Sequence, residues 1–503
     1  MSKIIGGVFA LAGLCALSMF LLNCGSSSSR PAGDLYIVNQ GLNGSGNSIS
    51  PFNINLDNGE LQFVNSLNVS TCPTQASGGN PSPCGLPVDI LLDPAGATAF
   101  VLNQGVQCPE VLSPDGTQRL CQTGSNTPVP PSILSYTVNS DGTLAGPGAA
   151  VVWSCGPNVT ASACNFNDTA VHMIRDDSGQ FLFVIDSGSY PSPGYPTPLA
   201  ESPTCPHTPT TQTDVCPSIT VFAMKQGSPT TLTLVGGPFY VDKMPTGVSA
   251  VTSPSSINAQ ELLFVSNNQD ICTESCVLPP SSDNTVTVFT VATSGALTMQ
   301  QNKPYIVAAA NPVSVKAVNT NQTQINNSGG LFVYVGTNAQ TAGQIYPFEI
   351  CTVINAFCTA QDVSLAILTP LETSCTTQCI DVAPTAAGLN PVQMLADPTN
   401  NFLYVLSAGS SQLFGFKVNT SQGTLTALAP ASLPTGSQPA AMALHASVNS
   451  QGQNLYSASG QFLYVANTLS SNITAFGLSP ATGAMSSLGT QIAPAAPTGI
   501  AVH

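Results

Sequence analysis

At 503 residues the chain is long enough for several domains, yet 9 Lys plus Arg against 24 Asp plus Glu leave it at −15, with only 7% of residues charged. That balance excludes nucleic acid as a partner, since affinity there comes largely from Lys and Arg on phosphates. The polar surface must instead be drawn mainly from Ser, Thr, Asn and Gln.

The first element is a targeting segment. Lys3 precedes an apolar run from Ile4 to Leu22, and Leu21-Leu22-Asn23-Cys24 then leads into Gly25-Ser26-Ser27-Ser28-Ser29. This resembles a bacterial lipoprotein signal, which implies that Cys24 is lipidated and becomes the first residue of the mature protein. Asn23 departs from the small residue usual before that Cys. The alternative is an uncleaved helical anchor, because a run of this length can span a bilayer. Both readings export the body to the cell envelope, periplasmic or surface-exposed, with the membrane as a partner through Cys24. The expected division is a signal over 1–24, a Ser-rich tether over 25–34 and one repeat domain over 35–503.

From there the chain repeats. Seven short apolar runs each end near a hydrogen-bonding side chain: Leu35 to Asn39, Ala99 to Asn103, Leu182 to Asp186, Leu263 to Asn267, Val333 to Thr337, Leu403 to Ser407 and Leu463 to Asn467. Repetition at this scale marks a solenoid, an array or a propeller. Before each of the last six runs lies an alternating stretch, usually led by Pro, as in Pro87 to Asp93 and Pro439 to His445. After each run comes a third stretch, such as Ile49 to Ile54 or Ile473 to Leu478, and then a turn such as Asp141-Gly142 or Gln422-Gly423 leading into a fourth. Turn residues between β-branched and aromatic runs are hairpin signals. Four antiparallel strands in seven units predict an all-β, seven-bladed propeller. The last stretch, Pro497 to His503, has no second strand after it, so it is expected to close the ring beside Leu35 to Asn39.

The string Pro497-Thr498-Gly499-Ile500-Ala501-Val502, with Phe462-Leu463-Tyr464-Val465-Ala466-Asn467 and Ile473-Thr474-Ala475-Phe476, resembles the lactonase-like seven-bladed propeller family with YVTN-type repeats. The likeness runs from about Leu35 to His503. It implies the fold strongly and an activity weakly, since named members act on sugar-phosphate lactones and fold alone does not transfer function.

Setting aside Cys15 and Cys24, the cysteines fall into close couples: Cys72 with Cys84, Cys108 with Cys121, Cys155 with Cys164, Cys205 with Cys216, Cys272 with Cys276, Cys351 with Cys358 and Cys375 with Cys379. An even set in an exported chain reads as disulfides, with local pairing as the working scheme. Strand order puts all but the couple of Cys351 and Cys358 on one face, shared by the second-to-third turns and the blade-to-blade connections. That face is a candidate surface for a protein or carbohydrate-like ligand; the alternative is loops stiffened against proteolysis.

The polar run ends Asn39, Asn103, Asp186, Asn267, Thr337, Ser407 and Asn467 point toward the same face. They read either as local caps on backbone or as a ring of donors and acceptors suited to a polyol or a hydrated Ca²⁺. A second column, Asp89, His172, Gly247, Ser314, Gln393, Ala441 and Gly499, falls near the channel mouth. Ser314 and Gln393 join Asn39, Asn103, Asn267 and Asn467 as candidate ligand-binding residues. Lactone hydrolysis needs a base for water and donors for the developing oxyanion. His172 is the natural base, with Asp89 or Asp186 as its orienting carboxylate. No acidic loop of calcium-binding type is present, so no metal and no cofactor are expected. Arg175 and Lys316 are the cations that can be placed near the axis, which is thin for a sugar phosphate. Three functions therefore stand: ligand or partner binding through the cysteine-rich face, lactone hydrolysis at the channel mouth, and a structural role at the cell surface.

Overall fold

A computed structural model of the chain describes residues 33–40, 47–64, 69–70, 85–104, 110–112, 119–121, 131–152, 170–187, 217–227, 229–241, 245–253, 261–268, 284–300, 305–306, 311–320, 330–338, 342–350, 368–370, 372–373, 380–445, 461–493 and 496–503. The seven apolar runs become the second strands of seven antiparallel sheets: Asp34–Asn39, Thr98–Gln104, Phe181–Asp186, Glu261–Asn268, Leu331–Asn338, Phe402–Ser407 and Gln461–Asn467. Each has a strand on both sides and a sheet stacked on both faces, so consecutive residues, not alternate ones, must be apolar. Leu35, Tyr36, Ile37 and Val38 are accordingly all buried at 0% exposure.

The alternating runs form the inner strands: Pro497–Val502, Leu86–Leu92, Ala170–Arg175, Pro245–Thr252, Pro312–Asn319, Pro391–Ala396 and Pro439–His445, for blades one to seven. Pro is tolerated there because one edge of each inner strand has no ladder to supply. The third strands run Ser48–Ile54, Ser132–Val138, Ser218–Lys225, Asn284–Val291, Gly343–Ile350, Gln412–Val418 and Asn472–Leu478. Outer strands are less regular. They are continuous in blades three, six and seven and broken into two short pieces in blades one, two, four and five.

Pro497–Val502 pairs with Asp34–Asn39, placing Leu35 opposite Val502 and Ile37 opposite Ile500. Asp34 and His503 exchange backbone hydrogen bonds of 3.2 and 3.0 Å. The ring is closed as expected, and the fold takes in Asp34, one residue earlier than Leu35. Each inner strand touches the inner strand of the next blade all the way round.

The core is divided among the joints. Seven hydrophobic clusters each straddle two adjacent blades, from Tyr36, Val38, Ile90 and Val101 between blades one and two to Leu35, Ile37, Tyr464 and Ala466 between seven and one. At four joints a buried tyrosine adds a directed bond: Tyr36, Tyr334, Tyr404 and Tyr464 each donate to a glycine carbonyl in the third-to-fourth turn of the following blade. Burial raises the pKa of the phenols of Tyr334, Tyr404 and Tyr464, so they stay protonated donors.

Candidate functional site

Every inner strand is bulged at the same place. The register slips between Pro87 and Asp89, Ala170 and His172, Pro245 and Gly247, Pro312 and Ser314, Pro391 and Gln393, and Pro439 and Ala441, and likewise beside Gly499. A bulge adds one residue, bends its strand and re-aims the next side chain. Here it sets the column from Asp89 to Gly499 at the mouth of the channel, on the face where the second strands end.

Most of the column joins neighbouring blades. A Cβ on Gly247 would lie 2.9 Å from Ser314 Cα, and one on Gly499 would lie 3.0 Å from Asp89 Cα. Only glycine permits that approach of two inner strands. Ser314 is 3% exposed and donates to the Pro391 carbonyl of the next blade. Gln393 Oε1 accepts the backbone N–H of Met442 at 2.6 Å. Asp89 accepts from Ile90 N at 2.8 Å and, across the joint, from Met173 N at 3.1 Å.

His172 is the exception. Its side chain is 42% exposed and turns back toward the preceding blade, with Nδ1 3.6 Å from Asp89 Oδ2. That separation is an electrostatic contact, long for a hydrogen bond. Because two backbone N–H groups hold the Asp89 carboxylate, it is a fixed partner for Nδ1. Asp186, the other carboxylate considered from sequence, is 2% exposed at the end of its second strand, opposite Ala170. The carboxylate beside His172 is that of Asp89.

The run ends do not form an exposed rim. Asn39, Asn103, Asp186, Asn267, Thr337, Ser407 and Asn467 are all at most 2% exposed. Asn39 donates to Ser50 Oγ at 2.9 Å, Asn267 to Thr287 Oγ1 at 3.0 Å and Asn467 to Thr474 Oγ1 at 3.0 Å, each locking the second strand to the third. Thr337 and Ser407 donate to the carbonyls of Gln344 and Ala387. Strand alternation explains this: Asn39 shares parity with Leu35 and Ile37, which face the preceding blade. The structure supports the local capping reading for Asn39, Asn267 and Asn467, whose burial removes them as exposed ligand contacts, whereas the buried Asn103 amide makes no such bond.

Deeper along the inner strands Arg175 and Lys316, the cations placed near the axis from sequence, belong to a charged group whose carboxylates come from several blades. Arg175 is accessible to water, yet surrounding protein lowers its pKa while Asp93, Asp176 and Asp177 oppose that shift. Both hold for a side chain inside a walled channel. Burial likewise lowers the Lys316 pKa, against Asp177. Asp177 Oδ2 accepts Thr252 N at 2.8 Å, while Glu261 accepts Thr252 Oγ1 at 2.7 Å and Asp177 N at 3.3 Å. Both cations thus lie within electrostatic reach of carboxylates. Asp93 and Asp397 cap tight turns, accepting Thr98 N at 3.0 Å and Phe402 N at 2.7 Å.

The disulfide scheme falls almost wholly outside the described residues. Cys72 and Cys84, Cys155 and Cys164, Cys205 and Cys216, Cys272 and Cys276, Cys351 and Cys358, and Cys375 and Cys379 all lie outside them. So does Cys108, whose expected partner Cys121 ends the short strand Arg119–Cys121. No cysteine couple is therefore described at both ends, and the local pairing stays an expectation of the sequence. Cys24 and the segment around it also lie outside the described residues. Among the described residues no helix is long and apolar enough to cross a membrane, and no group of three His, Cys, Asp or Glu side chains is placed to hold a metal.

Residues 384–502 match the family model described as lactonase, seven-bladed beta-propeller. Among solved structures the chain is similar to the periplasmic gluconolactonase of Pseudomonas aeruginosa, at 16% identity and TM-score 0.51, over 93% of this chain and 99% of that one. It is also similar to a candidate 6-phosphogluconolactonase of Bacteroides uniformis, at 13% identity and TM-score 0.51, over 94% and 99%. At these identities the likeness establishes the fold. No curated protein matches the sequence. The resemblance to lactonase-like propellers read from the repeats holds.

Proposed function

We propose that this protein is an exported lactone hydrolase acting on an unphosphorylated, sugar-type lactone at the channel mouth. The observation that carries the reading is the His172–Asp89 pair, the one place in the mouth column where a titratable side chain stays accessible and is oriented by a held carboxylate. Neutral His172 takes a proton from water at Nε2 as the water oxygen bonds to the lactone carbonyl carbon. Asp89 favours the imidazolium so formed. Collapse of the tetrahedral intermediate breaks the ring C–O bond, and the imidazolium returns the proton to the leaving alkoxide, giving a hydroxy acid. Support comes from the lactonase description of the matching family model and from the gluconolactonase among the similar folds. The periplasmic setting of that relative agrees with export directed by the N-terminal segment.

The charge balance around Arg175 favours a lactone without phosphate. Purified full-length protein should open glucono-1,5-lactone faster than its 6-phosphate, measured as acid release at constant pH. A preference for the phosphate ester would contradict the substrate assignment.

A second reading has its own observation. Leu469 and Ile492, 72% and 87% exposed, sit at the same face of blade seven and favour a partner-binding surface. Leu469→Asn with Ile492→Asn should then abolish crosslinking to a cell-envelope partner; unchanged crosslinking would remove this reading.

A further inference from the structure

We infer that the backbone N–H of Val248 is a receptor for a ligand carbonyl or carboxylate oxygen beside His172. This rests on the proposed site but not on its chemistry. The residue after each column position, namely Ile90, Met173, Val248, Val315, Met394, Met442 and Ile500, occupies the same register on its inner strand. In an antiparallel ladder every second N–H of an edge strand points away from its partner strand. On blade four the parity is fixed by Thr252, whose N–H leaves the ladder to reach Asp177 Oδ2 on blade three at 2.8 Å. The register from Val248 to Thr252 is uninterrupted, so Val248 N–H leaves the ladder in the same way.

The molecule shows what such donors take. Met173 N–H is filled by the Asp89 carboxylate of the preceding blade, and Met442 N–H by the Gln393 carbonyl. In both, the column residue of one blade supplies an acceptor oxygen to the next. Val248 stands in that relation to His172, which turns away to Asp89, and no described residue supplies an acceptor to its N–H. The position is also open. Val248 is partly exposed, whereas its six equivalents are buried. At the next joint Gly247 brings its own strand against Val315, since a Cβ there would lie 3.1 Å from Val315 N. A carboxylate or lactone carbonyl placed at the joint of blades three and four would repeat the role that Asp89 plays at the joint before it. In hydrolysis the same donor would meet the developing oxyanion.

Two measurements with D-gluconate as probe test this on the full chain. In a spectrum of protein labelled with 15N-valine, gluconate should move the Val248 amide and leave Val315 in place. By calorimetry, Val248→Pro should weaken gluconate binding at least tenfold, while Ala250→Pro, at another position of the same parity, should not. Neither proline removes a ladder bond. A gluconate complex with an unmoved Val248 amide, equal affinity in Val248→Pro, or no gluconate binding by the wild type each overturns the inference. Binding that behaves as described in a protein that hydrolyses no lactone would uphold it and remove the hydrolase.

Discussion

Tyr464 Oη donates to the carbonyl of Gly59 at 2.9 Å, tying the seventh blade to the first across 405 positions of sequence. The same bond recurs at three other joints, while Phe100, Phe183 and Phe264 occupy the position on blades two, three and four. The ring thus accepts Phe there, but at blade seven the bond reinforces closure. Tyr464→Phe should cost about 1 kcal/mol and lower the melting temperature by roughly 1–3 °C, with no change in far-UV circular dichroism. A loss far beyond this would mean that the hydroxyl holds more than the joint.

Removal of residues 498–503 takes away the inner strand of blade one, which packs against the inner strands of blades two and seven. It also leaves Asp34–Asn39 as an open sheet edge. The truncated protein should melt well below the full chain, lose a single cooperative transition and self-associate in sedimentation. A monomer with an unchanged melt would show that closure contributes nothing.

Glu261 supplies a pH dependence. Burial, aided by the negative charge of Asp177 and opposed by the Thr252 hydrogen bond, raises its pKa to about 7. Since the folded value lies above the unfolded one, the stabilisation is complete below the ordinary glutamate range and is lost as pH rises through about 7. Glu261→Gln, which stays neutral, should melt higher than wild type by roughly 1–3 °C at pH 8 and match it near pH 4. Equal pH profiles for the two proteins would contradict the assignment.

Asp89 is a positioning residue, and its role separates from that of a mere strut. Asp89→Asn keeps an acceptor for Met173 N–H but no longer favours the imidazolium of His172. We expect kcat on a sugar lactone to fall about tenfold or more, with KM little changed. A change in KM alone would make Asp89 structural.

Seven blades were legible because burial on both faces writes each second strand as a continuous apolar run, and ring closure followed from counting strands. The site was legible only in part. His172 and Asp89 could be placed in one column, but a one-residue bulge decides where each points, and nothing in Pro87-Val88-Asp89 or Ala170-Val171-His172 announces it. The parity that buries Asn39 with Leu35 and Ile37 was present in the sequence and outweighed the impression of a polar rim. Val248 escaped notice for a different reason: its contribution is a backbone N–H, and side-chain identity is silent about it.

The central claim is that His172 is the base of a lactone hydrolase, and the rate of glucono-1,5-lactone opening above the spontaneous rate tests it most directly in wild type and His172→Ala. Because the His172 side chain is 42% exposed and meets its neighbour only in the long contact to Asp89, the variant should keep the wild-type melting temperature. Loss of one positioned general base should lower kcat by about 10²- to 10⁴-fold. Equal rates in the two proteins, or no wild-type rate above background, would contradict the account.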